Sequence, residues 1–196
     1  MSTLFVNNLN TASGTDITIP TGKKIIVTDE GGLRVPGTVI QVVKAEKLDT
    51  ASTNSTMGAG FIDTGITCTI TPKASNSKIL VTVDVALGVT NSEFNYMRVV
   101  RNVGGGTYSM ISEAPTPGSR NAIHGMVFGA NQGRVSTQTF NDLDSPATTS
   151  AVNYKIQFAT GGGGGYVYVG QSTRDTDGAS ADPRASSRIV LQEIAQ

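Results

Sequence analysis

The sequence predicts an all-β protein: a jelly-roll-like antiparallel β-sandwich preceded by a short β-rich segment that cannot bury its own apolar faces. Three observations carry this. Apolar and polar residues alternate with a period of two over run after run, the signature of half-buried strands, and no long stretch shows the 3.6-residue periodicity of a helix. The runs are separated by clusters of Gly, Pro, Asn, Asp and Ser, which supply turns. Charged residues make up only 15% of the chain, against ~25% in an ordinary soluble domain, and 23 Gly with abundant Thr and Ser take their place.

The first 36 residues carry short apolar beats, Leu4 and Val6, Ile17 and Ile19, Ile25 and Val27, Leu33 and Val35, each cut off by Asn10–Gly14, Pro20–Gly22 or Asp29–Gly32. Beats this short cannot offset the entropy of ordering themselves, so they call for a partner, and the simplest is an identical chain. A composition shift at Pro36–Gly37 divides the chain into residues 1–36, a segment that anchors or intertwines, and residues 37–196, the sandwich. Leu4, Val6, Ile17, Ile19, Ile25 and Val27 are the expected anchoring contacts.

The sandwich opens with a strand at Thr38–Val43 and a polar loop at Leu48–Gly58. Ile66, Cys68 and Ile70 share one strand face, and the clearest run follows at Lys78–Leu87, with Ile79, Val81, Val83, Val85 and Leu87 on one side. Further strands are expected at Phe94–Arg101, Thr107–Ser112, Ala122–Phe128 and Arg134–Phe140, then through Val152, Tyr154, Ile156 and Phe158, at Tyr166–Gly170, and at the end, where Ile189, Leu191 and Glu193 oppose Val190, Gln192 and Ile194. Gly104–Gly106, Ala114–Ser119, Asn141–Pro146 and Gly161–Gly165 read as the turns between them, and Pro72, Pro115, Pro117, Pro146 and Pro183 fall at strand margins.

Charge and chemistry narrow the function classes. Fifteen basic residues balance fifteen acidic ones with no Lys/Arg run, so the footprint of a nucleic-acid binder or polybasic membrane protein is missing. No segment approaches the ~20 apolar residues of a membrane span. The opening MSTLFVNNLNTASG has neither the basic start nor the apolar core of a secretory signal, which predicts synthesis in a cytoplasm. The single Cys68 can form no intrachain disulfide.

Catalytic equipment is sparse. His124 is the one imidazole and no G-x-S-x-G elbow occurs, so His124 reads as an ordinary strand or interface residue. Asp142/Asp144 and Asp175/Asp177 are carboxylate pairs of the kind glycosidases use, but both lie in turn-like sequence. Asp175-Thr176-Asp177-Gly178 matches the start of a calcium loop without its terminal Glu. Gly161–Gly165 leads into Tyr166-Val167-Tyr168-Val169, a strand rather than the helix a phosphate cradle needs. Gly161, Gly163, Gly165 and Tyr166 are therefore expected as an exposed contact loop. Tyr96, Tyr108, Tyr154, Tyr166 and Tyr168 read as strand-packing residues, and Asn54-Ser55-Thr56 as an idle glycosylation match. No catalytic residue, metal or cofactor is expected.

The stretch NNLNTASGTDITIPTGKKIIVTDEGGLRVPGTVIQVV resembles the opening of phage tail-fibre and other virion-appendage proteins, those of marine and cyanobacterial tailed viruses above all. The later stretches ITPKASNSKILVTVDV (Ile70–Val85), LDSPATTSAVNYKIQF (Leu143–Phe158) and ASSRIVLQEIAQ (Ala185–Gln196) resemble a domain common in the same proteins. The resemblance implies a virion structural protein, a homotrimeric fibre or spike whose N-terminal segment meets another virion protein and whose β-domain faces outward, where a host receptor or glycan is a candidate partner. About 36 residues stand before the domain where long tail fibres carry an extended shaft of repeats, so a spike, collar or head fibre is expected as readily as a tail fibre. A capsid-decorating protein without receptor contact and a host-glycan recognition module are the alternatives.

Overall fold

The computed structural model describes residues 14, 18–29, 32–90, 94–129, 134–162, 164–178 and 180–196. Leu4, Val6, Ile17 and Gly163 lie outside them. Among the described residues every regular element is a strand. In chain order they are β1 (Val39–Lys47), β2 (Ala51–Thr53), β3 (Ile62–Ile70), β4 (Lys78–Val89), β5 (Phe94–Val103), β6 (Ser109–Met110), β7 (Gly125–Phe128), β8 (Val135–Asp144), β9 (Val152–Thr160), β10 (Val167–Val169) and β11 (Ser187–Ile194).

All pairings between strands are antiparallel, and they form two sheets. In the first sheet β4 is central: β8 runs along one edge, while β11 and β10 share the other edge and carry β1 and β2 respectively. In the second sheet β3, β9 and β5 lie in order, and β6 and β7 share the outer edge of β5. Each short pair thus completes one interrupted strand, giving two layers four strands wide. The chain passes from β1 to β3, β4 and β5 by changing sheet at each step, and changes again from β7 to β8, β8 to β9 and β9 to β10. This is the jelly roll the sequence predicts.

The core follows from the alternation. Ile79, Val81, Val83, Val85 and Leu87 of β4 are at most 1% exposed, as are Val152, Tyr154, Ile156 and Phe158 of β9. Ile189 and Leu191 of β11 meet them from the first sheet, and Ile66, Cys68 and Ile70 of β3 from the second.

Four sequence expectations need correction. Asn141–Asp144 of the expected turn Asn141–Pro146 continues β8, because Asn141 and Leu143 face outward while Asp142 and Asp144 turn inward. The polar loop Leu48–Gly58 contains β2 and an isolated bridge from Thr56 to Thr160. Thr107–Ser112 shrinks to Ser109–Met110, since Ser112 takes a positive φ of 44° that ends the ladder. Ala122–Phe128 begins only at Gly125, because His124 turns its ring into the fold instead of extending the strand.

The loops sort to two ends. At the near end lie Val39, Ile194, Lys78 and Asp144, with the β3–β4 and β8–β9 connections. At the far end lie Val89, Phe94, Phe128, Thr160 and Val167. The twelve residues of β4 separate the ends by about 36 Å at ~3.3 Å per residue. Backbone bonds from Gly37 N–H to Ala195 O (2.8 Å) and from Ala195 N–H to Thr38 O (2.9 Å) tie the start of the sandwich to its last residues at the near end.

Candidate functional site

His124, Asp144 and Asp175 are each engaged in contacts that hold the fold together. His124 sits beside β7, half-buried, and its Nδ1 accepts the Val99 amide at 2.9 Å while Nε2 lies 2.8 Å from the Ile111 carbonyl. Those two contacts require the neutral tautomer with the proton on Nε2. The ring stacks on Phe140 of β8 at 4.0 Å, so it joins the two sheets. Burial lowers its pKa, against the opposing pull of the Ile111 carbonyl and of Asp142. An imidazole with both nitrogens bound to backbone has no free lone pair to act as a base.

His124→Ala should cost about 2 kcal/mol, because the Val99 N–H loses its acceptor inside the fold. The depressed folded pKa also sets a pH trend. The unfolded chain takes up a proton as pH falls below ~6.5 and the fold resists it, so the stabilising contribution is complete above that value and declines below it. Thermal melts of the parent and His124→Gln between pH 7.5 and 5.5 check this: the parent should lose more.

Asp142 and Asp144, expected in a turn, lie on the inner face of β8. Asp144 Oδ2 meets Arg101 Nε at 2.7 Å and accepts the Tyr154 hydroxyl at 2.7 Å, while Oδ1 accepts the Ser145 amide. Arg101 and Tyr154 come from the second sheet, so this carboxylate clasps the layers together. Burial and the adjacent Asp144 charge both push the Tyr154 phenol upward, keeping it a neutral donor. Sequence reading missed this group because its members lie on three strands of two different sheets, brought together only by the stacking of the layers.

Asp175 and Asp177 do lie in a loop, between β10 and β11, beside a depression of about 470 Å³. Two of its carboxylates are matched to arginines: Arg184 Nη2 bonds Asp175 at 2.8 Å, and Arg174 holds Asp182 through three contacts of 2.8–3.0 Å. Hydrogen bonding from Arg174 holds Asp182 down at about 2. The described residues contain no group of three or more His, Cys, Asp or Glu side chains fit to hold a metal.

The surface has more to offer. Ile19, Ile25, Ile26, Val27, Leu33 and Val35 of the N-terminal segment are 41–71% exposed, and none of the described residues before Val39 forms a strand within the single chain. At the far end, Gly161 packs on β5. Its N–H donates to Phe94 O at 2.7 Å, and a Cβ on it would meet that oxygen at 2.9 Å, so only glycine fits. The same turn borders Tyr96. Phe94 and Phe128 lie ring to ring at 5.1 Å, 46% and 51% exposed, with Met126 beside them in register with Tyr96. This aromatic patch was not anticipated, although its signal was present: Phe94, Tyr96, Met126 and Phe128 are apolar on the strand face that should be polar. Tyr166 is 41% exposed and stacks with Tyr168 on the outer face of the other sheet, so Gly161 and Tyr166 occupy the same end but opposite faces, and Gly165, expected in an exposed loop, is buried where the chain enters β10.

No protein-family model and no curated protein matches the chain. Among solved structures, it is similar to a chain in the structure of infectious bursal disease virus Gt strain at 13% identity and a TM-score of 0.43, covering 80% of this chain and 38% of that one. The Gx strain of the same virus gives 12% identity and a TM-score of 0.42, and the crystal structure of the infectious bursal disease virus VP2 subviral particle 12% and 0.39, each covering 80% of this chain and 37% of the other. The chain thus spans less than two fifths of these chains, and likenesses this distant leave its function to be argued from its own residues.

Proposed function

We propose that this chain is a non-enzymatic structural protein of a tailed-phage particle, forming a short homotrimeric fibre or spike. It would be made in the bacterial cytoplasm and incorporated into the virion, with residues 1–36 joining the copies and docking to another virion protein. One observation carries the reading: six large apolar side chains between Ile19 and Val35 stand exposed on a segment that joins the sandwich at its near end, while the aromatic patch lies at the far end. An apolar arm at one end and a contact surface at the other suit a particle appendage. Exposed clusters of this kind are costly unless something covers them. The sequence resemblance to virion appendages supports the same assignment.

Threefold repetition would also strengthen a weak far-end contact with a host receptor or glycan, by about 100-fold or more where the geometry lets all three engage. The Phe94–Phe128 pair favours that recognition role over simple capsid decoration, since ring faces match the apolar faces of sugars.

Sedimentation equilibrium at micromolar concentration should give a trimer, and deletion of Met1–Pro36 should give a folded monomer that no longer enters particles. A compact monomer of the full chain, or normal incorporation of the truncated one, would overturn the reading. The purified protein should release no reducing ends from host surface polysaccharide; release that is lost in His124→Ala or in Asp175→Asn with Asp177→Asn would place an enzyme first.

A further inference from the structure

The outer face of the first sheet should be polar throughout, and at the near end it is not. The ladders put Val42 opposite Gln192, Gln192 opposite Leu80, and Leu80 opposite Leu143, so one row crosses all four strands with three apolar residues out of four. Val39 and Ile194 flank it on one side and Val190 on the other. Val39, Val42 and Leu143 are 50%, 55% and 46% exposed. Two rows further on the face becomes charged, with Glu46, Arg188, Asp84 and Thr139 in line and Arg188 paired to Asp84 at 2.7 Å. The apolar character is therefore confined to the end where the N-terminal segment enters the sandwich.

We propose that this row is the seat of the N-terminal segment of a second copy of the chain, each copy laying part of residues 18–35 across its neighbour's first sheet. The inference rests on the trimeric reading above and deepens it by naming the surface. The described residues of the segment do not cover their own row: Thr38 N–H bonds Val35 O at 2.9 Å in a turn, Arg34 bonds the Lys73 carbonyl of the β3–β4 connection at 3.0 Å, and Val42 and Leu143 stay exposed. Its own apolar residues, Ile25, Ile26 and Val27 foremost at 44–71% exposure, are bare as well. One exposed apolar surface thus lies where the segment that bears the other enters the sandwich, and association of copies there buries both. Reach is ample: crossing four strands takes about 14 Å, whereas the sixteen steps from Ile19 to Val35 span up to about 55 Å when extended.

The test is sedimentation equilibrium of full-length variants, with circular dichroism and thermal melts to confirm the fold. Leu143→Asp and Val42→Asp, both at exposed positions, should each raise the trimer dissociation constant at least tenfold, as should Ile25→Asp on the segment. Thr139→Asp, on the same face in the charged row, should leave it unchanged. Leu143→Ser is the milder variant should an aspartate disturb folding. Parental association of the Val42 and Leu143 variants, while deletion of residues 1–36 still yields monomers, would overturn the seat and leave the trimer standing. Dissociation by the row variants but not by Ile25→Asp would overturn the segment as occupant, and equal weakening by Thr139→Asp would overturn the row's specificity. A full-length chain that is monomeric throughout would remove both the seat and the reading beneath it.

Discussion

Val83→Asp is expected to leave the chain insoluble, or to lower its melting temperature by about 10 °C or more. Val83 sits mid-strand in β4, 0% exposed, in register with Ile189 of β11 on one side and Phe140 of β8 on the other. An aspartate there meets only apolar neighbours, so it must either hold an unpaired charge in the core or take up a proton and still lack a partner. Either costs several kcal/mol, on the order of 4. A domain of this size has ~5–15 kcal/mol in total, and each kcal/mol moves the midpoint by about 2–4 °C. Soluble expression with an unchanged midpoint would remove β4 from the core.

The second large effect is expected at Glu193, the one charged residue of the described chain that is fully buried with the core face of a strand. Its carboxylate accepts the Gln41 amide at 2.6 Å through Oε2, and the Lys73 and Ala74 backbone N–H groups at 2.8 and 3.3 Å through Oε1. It thereby ties β11, β1 and the β3–β4 connection together and closes the near end. Glu193→Ala strands these donors and should cost about 3 kcal/mol. Burial alone would raise the pKa of this acid, but the hydrogen bonds from Gln41, Lys73 and Ala74 outweigh it and the net shift is downward. The sign follows: the contribution is complete above the unfolded value of ~4.3 and is lost as pH falls through the lower folded value. Chemical denaturation from pH 7 to 3 should show a steep acid limb in the parent and a shallower one in Glu193→Gln, and parallel limbs would show that Glu193 does not control it.

The strands with strict alternation were legible in the sequence because their chemistry is local. Ile79 to Leu87 and Val152 to Phe158 announce a buried face without reference to anything else. Glu193 also falls on the predicted face with Ile189 and Leu191, although nothing nearby reveals that its partners are Gln41 and the turn at Lys73. Asn141–Asp144 misled for a related reason. Asn and Asp favour turns when solvent is the alternative, but here the inward Asp144 carboxylate answers Arg101 and Tyr154 from the opposite sheet. The short strand β2 pairs with the equally short β10, so a window along the chain carries little trace of it, whereas β10 falls within the expected strand Tyr166–Gly170 and β6 within Thr107–Ser112. The apolar row on the first sheet was hidden by its dependence on pairing, since Val42, Leu80 and Leu143 become a row only after three ladders fix their register.

The pairing of β1 with β11 has a mechanical consequence. The N-terminal segment enters β1 at the near end, and β1 then runs toward the far end with the seven residues Gln41–Lys47 in continuous register along β11. If the far end is held and the segment is pulled, the load travels along the strand axis, at right angles to the interstrand hydrogen bonds. That is shear rather than peeling: the bonds of the ladder share the force and must fail together instead of one at a time. The final strand therefore acts as a splice for the first, and tension applied through the N-terminal segment is carried in the direction in which the ladder resists most.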